Sequence, residues 1–155
     1  MCSTPRRPHR PPRPSRSWRK LPRVPGADSE DALRGLIDRY NDAWNRQDVD
    51  AIVEMHTADI VFHNHTAGER VVGDAVRDHI AGIFANWPGL TFSGRALYVR
   101  EGLVVQEWTA TGTHAESGRS ATWDGMDILP TRDGKFARKD VYSDSVSVMR
   151  QLGRI

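Results

Sequence analysis

The sequence predicts an α+β fold in which helices lie on one face of an antiparallel sheet. Residues 28–87 contain segments whose apolar residues recur at helical spacing, and residues 90–144 alternate as strands joined by glycine-containing turns. Helices followed by a strand meander are typical of sheets that carry their helices on a single face. With 155 residues, 38% of them apolar, the chain has room for one domain with a modest core.

Each predicted element is bounded by residues that can cap a helix or turn the chain. Asp and Ser favour the first position of a helix, whereas Gly and Pro end it. The first helix is predicted to run from Asp28 or Ser29 to Trp44, and the second from Asp48 through His56. The third is predicted to run from just after Gly73 to Trp87. The strands are predicted over 59–65, 90–100, 103–114, 120–130 and 134–144.

Residues 1–24 differ from the rest in composition. They contain seven Arg, one Lys, six of the nine prolines and no acidic residue, which leaves 14 basic and 20 acidic groups for the remainder. Such a segment cannot bury enough apolar surface to offset the entropy lost on ordering. We therefore predict a disordered basic tail over 1–26 and one domain over 27–155 that folds without it.

Two interpretations of the tail stay open. Its basic residues contact the phosphates of a nucleic acid, or the tail is an inert extension; we adopt the second interpretation. Cys2 is the only cysteine, so a disulfide framework or thiolate metal site is not expected. Apolar runs fall far short of the roughly 18 residues of a membrane span, and the basic N-terminus lacks the apolar core of a secretory signal. We expect a cytoplasmic protein that does not enter membranes.

Four segments together carry a resemblance to a known family: "YNDAWNRQDVDAIVEMHTADIVFHN" (40–64), "VVGDAVRDHIAGIF" (71–84), "GMDILPTRDGKF" (125–136) and "YSDSVSVMRQLG" (142–153). In residues and in order they resemble the SnoaL-like branch of the nuclear-transport-factor-2-like superfamily. The resemblance implies a cone-shaped, curved sheet with the three helices of the N-terminal half on its concave face. Because that superfamily includes isomerases, polyketide cyclases, epoxide hydrolases, dehydratases and non-catalytic scaffolds, the resemblance implies a pocket rather than one reaction.

The resemblance to the polyketide cyclases of this family implies two candidate catalytic carboxylates, Asp140 and Asp127. In those cyclases a strand carboxylate just after the "DGK" turn is the acid or base, assisted by a polar residue of the preceding strand. Counting without a gap places Val141 at the acid position, and a one-residue β-bulge would restore Asp140. Side chains alternate along a strand, so this residue decides whether Asp140 faces the pocket. An outward Asp140 would favour a binding protein over an enzyme.

A second comparison concerns the limonene-epoxide hydrolases, which hold their water with a Tyr and an Asn on the first strand and an Arg–Asp pair on a later one. Here Phe62 replaces the Tyr, and Asn64 matches the Asn. Gln106 and Trp108 stand where the Arg and the Asp are needed. The resemblance therefore does not extend to epoxide hydrolysis.

The segment "FHNHT" concentrates polar side chains on one short strand. Alternation places His63 and His65 on one face, about 7 Å apart, and Asn64 on the other. A metal site would need further ligands, such as Asp59 or Glu69, but no recognised spacing supplies them. Pocket lining, an edge-strand surface and a metal site all stay open for the two histidines. We adopt pocket lining and predict no metal or other cofactor.

Aromatic side chains are expected to form the apolar wall of the pocket, which is the usual make-up of a small-molecule site. No glycine-rich nucleotide motif or nucleophile elbow occurs in the sequence, so nucleotide-dependent and serine-hydrolase chemistry have no support. The predicted substrate-binding residues are Phe62, His63, His65, Trp44, Trp87, Trp108, Trp123 and Tyr142.

The leading hypothesis is a protein that binds a hydrophobic small molecule and acts on its carbonyl group as a cofactor-free cyclase or isomerase. Asp140 or Asp127 would abstract a proton next to the carbonyl, while Asn64 or a histidine would polarise the enolate oxygen. The alternative is a non-catalytic ligand-binding or scaffold protein of the same fold. We also expect a homodimer, because one face of the sheet is poorly covered and the strands are apolar on both faces.

Overall fold

The structure, a computed structural model, describes residues 26–155. Apart from Gly26, the tail predicted to be disordered lies outside this range. The helices of the described part are α1 (Glu30–Asn45), α2 (Val49–Glu54), α3 (Ala75–Asn86) and α4 (Ser145–Gln151). Its strands are β1 (His56–Asn64), β2 (Glu69–Val72), β3 (Thr91–Arg100), β4 (Leu103–Thr113), β5 (Ser120–Arg132) and β6 (Lys135–Ser143).

The strands form one six-stranded sheet in the order β2-β1-β6-β5-β4-β3. Neighbouring strands are antiparallel except β1 and β6, which run parallel. The predicted α+β class, with helices on one face, is confirmed, but the purely antiparallel sheet is wrong. The sheet is mixed because β6, which closes the meander, lies beside β1 and points the same way.

The first helix supplies much of the apolar core. Ser29 caps it by accepting a hydrogen bond from the Ala32 amide (3.3 Å). One face of α1 is buried on the sheet, and removal of that apolar stripe from water holds the helix in place. The buried residues of this face are Leu33, Leu36, Ile37, Tyr40, Ala43 and Trp44.

Element ends and short elements differ from the predicted pattern. The second helix ends at Glu54, because His56 already pairs with Phe136 of β6 as part of β1. Neither β2 nor α4 is predicted by the sequence, since four or seven residues are too few to show a period. Within residues 26–155, no helix is long and apolar enough to cross a membrane.

A β-bulge in β6 sets which side chains face the helices. The strand pairs Ile128 with Asp140 and Thr131 with Phe136, so β6 has one residue more than β5 between these pairs. Regular alternation from the buried Phe136 would turn Asp140 inward. The extra residue reverses the alternation, so Lys139 and Val141 are buried on the inner face instead. The expectation that a bulge would turn Asp140 into the pocket is wrong, because the bulge observed here turns it outward.

Beneath the sheet, Tyr40 and His56 form a buried hydrogen bond of 2.9 Å between the hydroxyl and Nε2. Burial, together with the nearby charge of Lys139, lowers the pKa of His56 to about 3. His56 is therefore neutral in the folded protein at every pH above this value.

We expect protein stability to fall as the pH drops below about 6.5, because His56 becomes protonated in the unfolded chain but not in the folded one. Between pH 6.5 and pH 5 this linkage costs about 2 kcal/mol. Urea unfolding of the wild-type chain and of the variant His56→Gln, each at pH 7 and at pH 5, measures this loss. The wild-type chain should lose about 2 kcal/mol more than the variant, and an equal loss would contradict the assignment.

Candidate functional site

A cavity of about 720 Å³ lies between the helices and the inner face of the sheet. Aromatic side chains form much of its wall, and several contact one another edge to face, such as Trp44 with Phe92 (5.9 Å between ring centroids) and Phe92 with Trp108 (5.2 Å). The aromatic lining residues are Trp44, Phe62, Trp87, Phe92, Trp108 and Trp123.

A chain of polar side chains crosses this aromatic wall. Lys139 Nζ contacts Asp127 Oδ2 at 2.6 Å, and Gln106 Nε2 donates to the same oxygen at 2.9 Å. Asn41 Nδ2 in turn donates to Gln106 Oε1 at 2.9 Å. Asp127 and Lys139 are only 3% and 5% exposed, so their ion pair is almost fully removed from water.

Strand register brings these groups together. Gln106 on β4 lies directly opposite Asp127 on β5, and Asp127 lies opposite Val141 on β6. Lys139 precedes Val141 by two residues and therefore projects from the same face. Three adjacent strands thus each present one polar side chain to the cavity.

The ammonium group of Lys139 is enclosed by aromatic rings. Its Nζ lies 5.2 Å from the ring centroid of Trp44, 5.6 Å from that of Tyr40 and 5.7 Å from that of Phe62. These distances fall within the range of cation–π attraction, which stabilises a cation that has lost its water. An ammonium has three N–H donors, and the contact with Asp127 occupies one.

Two buried polar atoms of the cavity residues have no hydrogen-bond partner in the described part of the chain. They are Oδ1 of Asp127 and Nε1 of Trp44. One is an acceptor and the other a donor, and leaving such atoms unpaired is unfavourable. The Asp127–Lys139 region therefore has unused capacity for both donating and accepting.

The outer face of the sheet carries a second cluster, centred on Asp140. Arg138 Nε donates to Asp140 Oδ2 at 2.6 Å and Arg138 Nη2 to Oδ1 at 2.7 Å, while Nε2 of His65 lies 2.7 Å from Oδ1. The His65 ring is stacked between those of His63 (3.6 Å between centroids) and Tyr142 (4.5 Å). All five side chains lie on the face opposite the cavity.

Both charge and burial affect the acid–base properties of this outer cluster. Burial alone would raise the pKa of Asp140, but hydrogen bonds from Arg138 and His65 outweigh it and hold the pKa below its ordinary value. Desolvation, followed by the nearby charge of His65, lowers the pKa of His63.

The structure separates the predicted site residues into two groups. Asp140, His63, His65 and Tyr142 do not line the cavity, because the β6 bulge and the alternation of β1 place them on the outer face. The prediction that His63, His65 and Tyr142 line the pocket is wrong. Of the two orientations left open for Asp140, the structure has the outward one, with Val141 in the cavity. The predicted residues that do line the cavity are Asp127, Asn64, Phe62, Trp44, Trp87, Trp108 and Trp123.

Sequence reasoning overlooked Lys139, Gln106 and Asn41 as cavity groups. A usable signal existed, because placing Val141 in the cavity also places Lys139 there by alternation. Asn64, by contrast, lines the cavity but its Oδ1 accepts a hydrogen bond from the Ala67 amide (3.1 Å), which ties part of its amide to the following turn.

The α+β fold and the cavity between its helices and sheet agree with one family of proteins. Residues 37–139 match the SnoaL-like domain, so the chain belongs to the SnoaL-like family. No curated protein matches the chain in sequence.

Solved structures extend the likeness over most of the chain. AclR from Streptomyces galilaeus, named as a candidate hydroxylase, is 22% identical with a TM-score of 0.72, covering 82% of this chain and 84% of its own. A candidate SnoaL-like polyketide cyclase from Jannaschia sp. CCS1 is 18% identical with a TM-score of 0.72, covering 88% and 99%. IdmH from Streptomyces antibioticus, also a candidate polyketide cyclase, is 21% identical with a TM-score of 0.68, covering 77% and 97%. At such identities the likeness establishes the shared fold.

The Trp108 ring depends on the absence of a side chain at Gly125. The two residues lie opposite each other on β4 and β5, and a Cβ atom at Gly125 would overlap the six-membered ring of the indole. We expect Gly125→Ala to push the ring into the cavity and to destabilise the fold by about 1–3 kcal/mol, measured by urea unfolding and tryptophan fluorescence.

Gly94→Ala is the matched control for this change. Gly94 faces Trp108 from the other neighbouring strand, β3, but a Cβ there meets nothing within 4 Å. Gly94→Ala should be neutral or slightly stabilising, because glycine within a strand is less favourable than alanine. A similar loss of stability in both variants would show that the Trp108 contact is not the cause.

Proposed function

We propose that this protein binds a largely apolar small molecule that carries a carbonyl or enol oxygen. The observation that carries the proposal is the Asp127–Lys139 pair in the wall of an aromatic cavity. A cavity of about 720 Å³ is in the size range of sites for drug-sized ligands, and aromatic walls with few polar groups are typical of such sites.

The polar wall favours an oxygen-bearing ligand over a hydrocarbon. Lys139 has N–H donors beyond the one that contacts Asp127. A ligand oxygen can accept from such donors, and a hydrogen bond to a charged donor contributes about 1.5–3 kcal/mol.

The charge balance of the wall favours a neutral ligand. Asp127 and Lys139 carry no net charge as a pair, so a neutral carbonyl compound leaves the cavity balanced. A carboxylate ligand beside this pair would add a buried negative charge, which is unfavourable in apolar surroundings. The other cation of the lining, Arg154, is exposed and paired with Glu116. The names of the structural neighbours agree with a carbonyl compound, since polyketides are rich in ketone groups.

We expect 2-tetralone, a bicyclic ketone, to bind at least tenfold more tightly than tetralin, the hydrocarbon of the same shape, because of the hydrogen bond to Lys139. Chemical shifts of the tryptophan indole N–H signals, followed by NMR, would measure both affinities. The double variant Asp127→Asn/Lys139→Met should lose this preference. The double variant removes both charges together, because removing only one partner of a buried ion pair destabilises the fold by about 3–5 kcal/mol.

Asp140→Asn is the matched control for the double variant. It alters a carboxylate on the same strand as Lys139, but one that lies on the outer face of the sheet. It should leave the preference for the ketone unchanged. If the double variant still prefers 2-tetralone, Lys139 does not recognise the carbonyl oxygen.

A second candidate function is proton transfer at the carbon next to the carbonyl, and the closeness of carboxylate and ammonium favours it. Asp127 would take the α-proton, and the electron pair of the C–H bond would move to the carbonyl oxygen to give an enolate. Lys139 would stabilise the enolate charge as it develops. Return of the proton to another carbon would complete an isomerisation. In a cyclisation, the enolate carbon would instead attack a second carbonyl of the same molecule, and the proton held by Asp127 would pass to the resulting alkoxide oxygen. Asp140 takes no part, because it lies on the outer face.

We expect the protein to accelerate exchange of the α-protons of 2-tetralone with D2O, as followed by NMR. Asp127→Asn should abolish the acceleration, because an amide cannot act as the base, whereas Asp140→Asn should retain it. Wild-type protein that binds 2-tetralone without accelerating exchange would exclude the catalytic candidate and leave the binding function intact.

The homodimer stays a prediction. The outer face of the sheet exposes Tyr98 and Tyr142, at 58% and 42%, and a second copy packed on this face would bury them. Exposed aromatic residues on an uncovered sheet face are frequent at protein interfaces.

A further inference from the structure

The outer face of the sheet brings together His63, His65 and Asp140, whose ligand atoms all lie within 4.8 Å of one another. His63 and Asp140 are direct partners in the parallel ladder between β1 and β6. His65 is the first residue after β1, and its amide donates to the Val141 carbonyl of β6 at 3.0 Å. Two of the three ligands therefore lie on paired strands, and the third is tied to β6 by a backbone hydrogen bond.

We propose that His63, His65 and Asp140 bind a divalent transition-metal ion, with Zn²⁺ as the natural occupant. Two imidazole nitrogens and one carboxylate oxygen are the ligand types that zinc accepts. The sequence offered only a pair of histidines with Asp59 or Glu69 as further candidates. The third ligand comes instead from a strand about 75 residues later, which spacing along the chain could not reveal.

The contact between His65 and Asp140 already has nearly the separation of two ligands on one ion. Nε2 of His65 and Oδ1 of Asp140 are 2.7 Å apart, whereas two atoms bound to zinc at about 2.0–2.2 Å in tetrahedral geometry lie roughly 3.4 Å apart. A metal ion can therefore replace the shared proton with a small outward rotation of the two side chains.

Arg138 orients the carboxylate ligand. Arg138 donates to both oxygens of Asp140. A carboxylate has about four lone-pair positions, so Oδ1 keeps a second position beside the one that Arg138 uses. His65 now occupies that position, and the metal ion would take it. Such hydrogen bonds to a ligand fix its orientation and influence metal affinity. The charges of Arg138 and of Arg70, the β2 partner of His63, oppose the ion, so the site should bind zinc more weakly than a site of four protein ligands.

Three protein ligands leave one tetrahedral position for water, as in catalytic rather than structural zinc sites. The side chain of His65 is 29% exposed, which gives the ion a path from solvent. The site lies on the opposite face from the cavity and does not depend on the function proposed for the cavity.

Isothermal titration of the full chain with Zn²⁺ tests the proposal. One Zn²⁺ per chain should bind, and His63→Gln, His65→Gln and Asp140→Asn should each lower the affinity at least about tenfold. Mg²⁺, which prefers oxygen ligands in an octahedral arrangement, should not bind. Co²⁺ in place of Zn²⁺ should give the strong visible absorption of a tetrahedral site, and the three variants should lose it.

Two matched controls separate this site from adventitious binding. His114→Gln removes a histidine whose Nδ1 contacts Ser117 in a different turn, and it should leave zinc affinity unchanged. Cys2→Ser/His9→Gln removes the metal-binding side chains of the tail and should also leave it unchanged. If the tail variant abolishes binding, if the three ligand variants leave it intact, or if no Zn²⁺ binds, the proposal is wrong.

Discussion

Asp127 and Lys139 depend on each other for their charges. Both are buried among aromatic rings, where a single ion would be strongly destabilised by the loss of water. An ion pair in such a position is seldom the most stabilising choice, because well-packed apolar residues of similar volume often serve as well or better. A contribution to folding is therefore a weak explanation for the pair. Gln106 and Asn41 extend it to α1, so the polar wall is connected to the helix that covers the sheet.

The two faces of β6 carry different chemistry, although the residues involved are neighbours in the chain. Lys139 projects into the cavity, and Asp140 projects towards His65 and Arg138. Each charged side chain finds opposite charge or hydrogen-bonding partners on its own face, which helps to fix the register of the strand. The parallel pairing of β1 with β6 supplies partners for both faces, with Phe62 opposite Lys139 and His63 opposite Asp140.

Much of the fold follows from the sequence, because the periodicity of α1 and the turns of the meander are local signals. The aromatic lining was also predictable, since Trp44, Trp108 and Trp123 lie on faces that must be buried in any α+β arrangement of these elements. The parallel pairing of β1 and β6 was not predictable, because no local pattern records which strands become neighbours. Counting without a gap favoured the observed orientation of Asp140, but the bulge that produces it was not predictable. One bulged residue sets this orientation, and no local pattern in the segment records the position of the bulge.

The bulge between Phe136 and Asp140 also suggests how cavities of this kind diverge. Its position along β6 determines whether an ammonium or a carboxylate enters the cavity, without any change in the residues of the strand. Migration of the bulge past residue 140 would give regular alternation from Phe136, and Asp140 would then replace Lys139 on the inner face. The position of this one bulge thus decides which charged group the cavity contains. In one position the cavity contains the cation of Lys139, and in the other it contains the additional acid Asp140. Relatives with nearly identical strand sequences can differ in chemistry for this reason, and alignment of their residues alone would not reveal it.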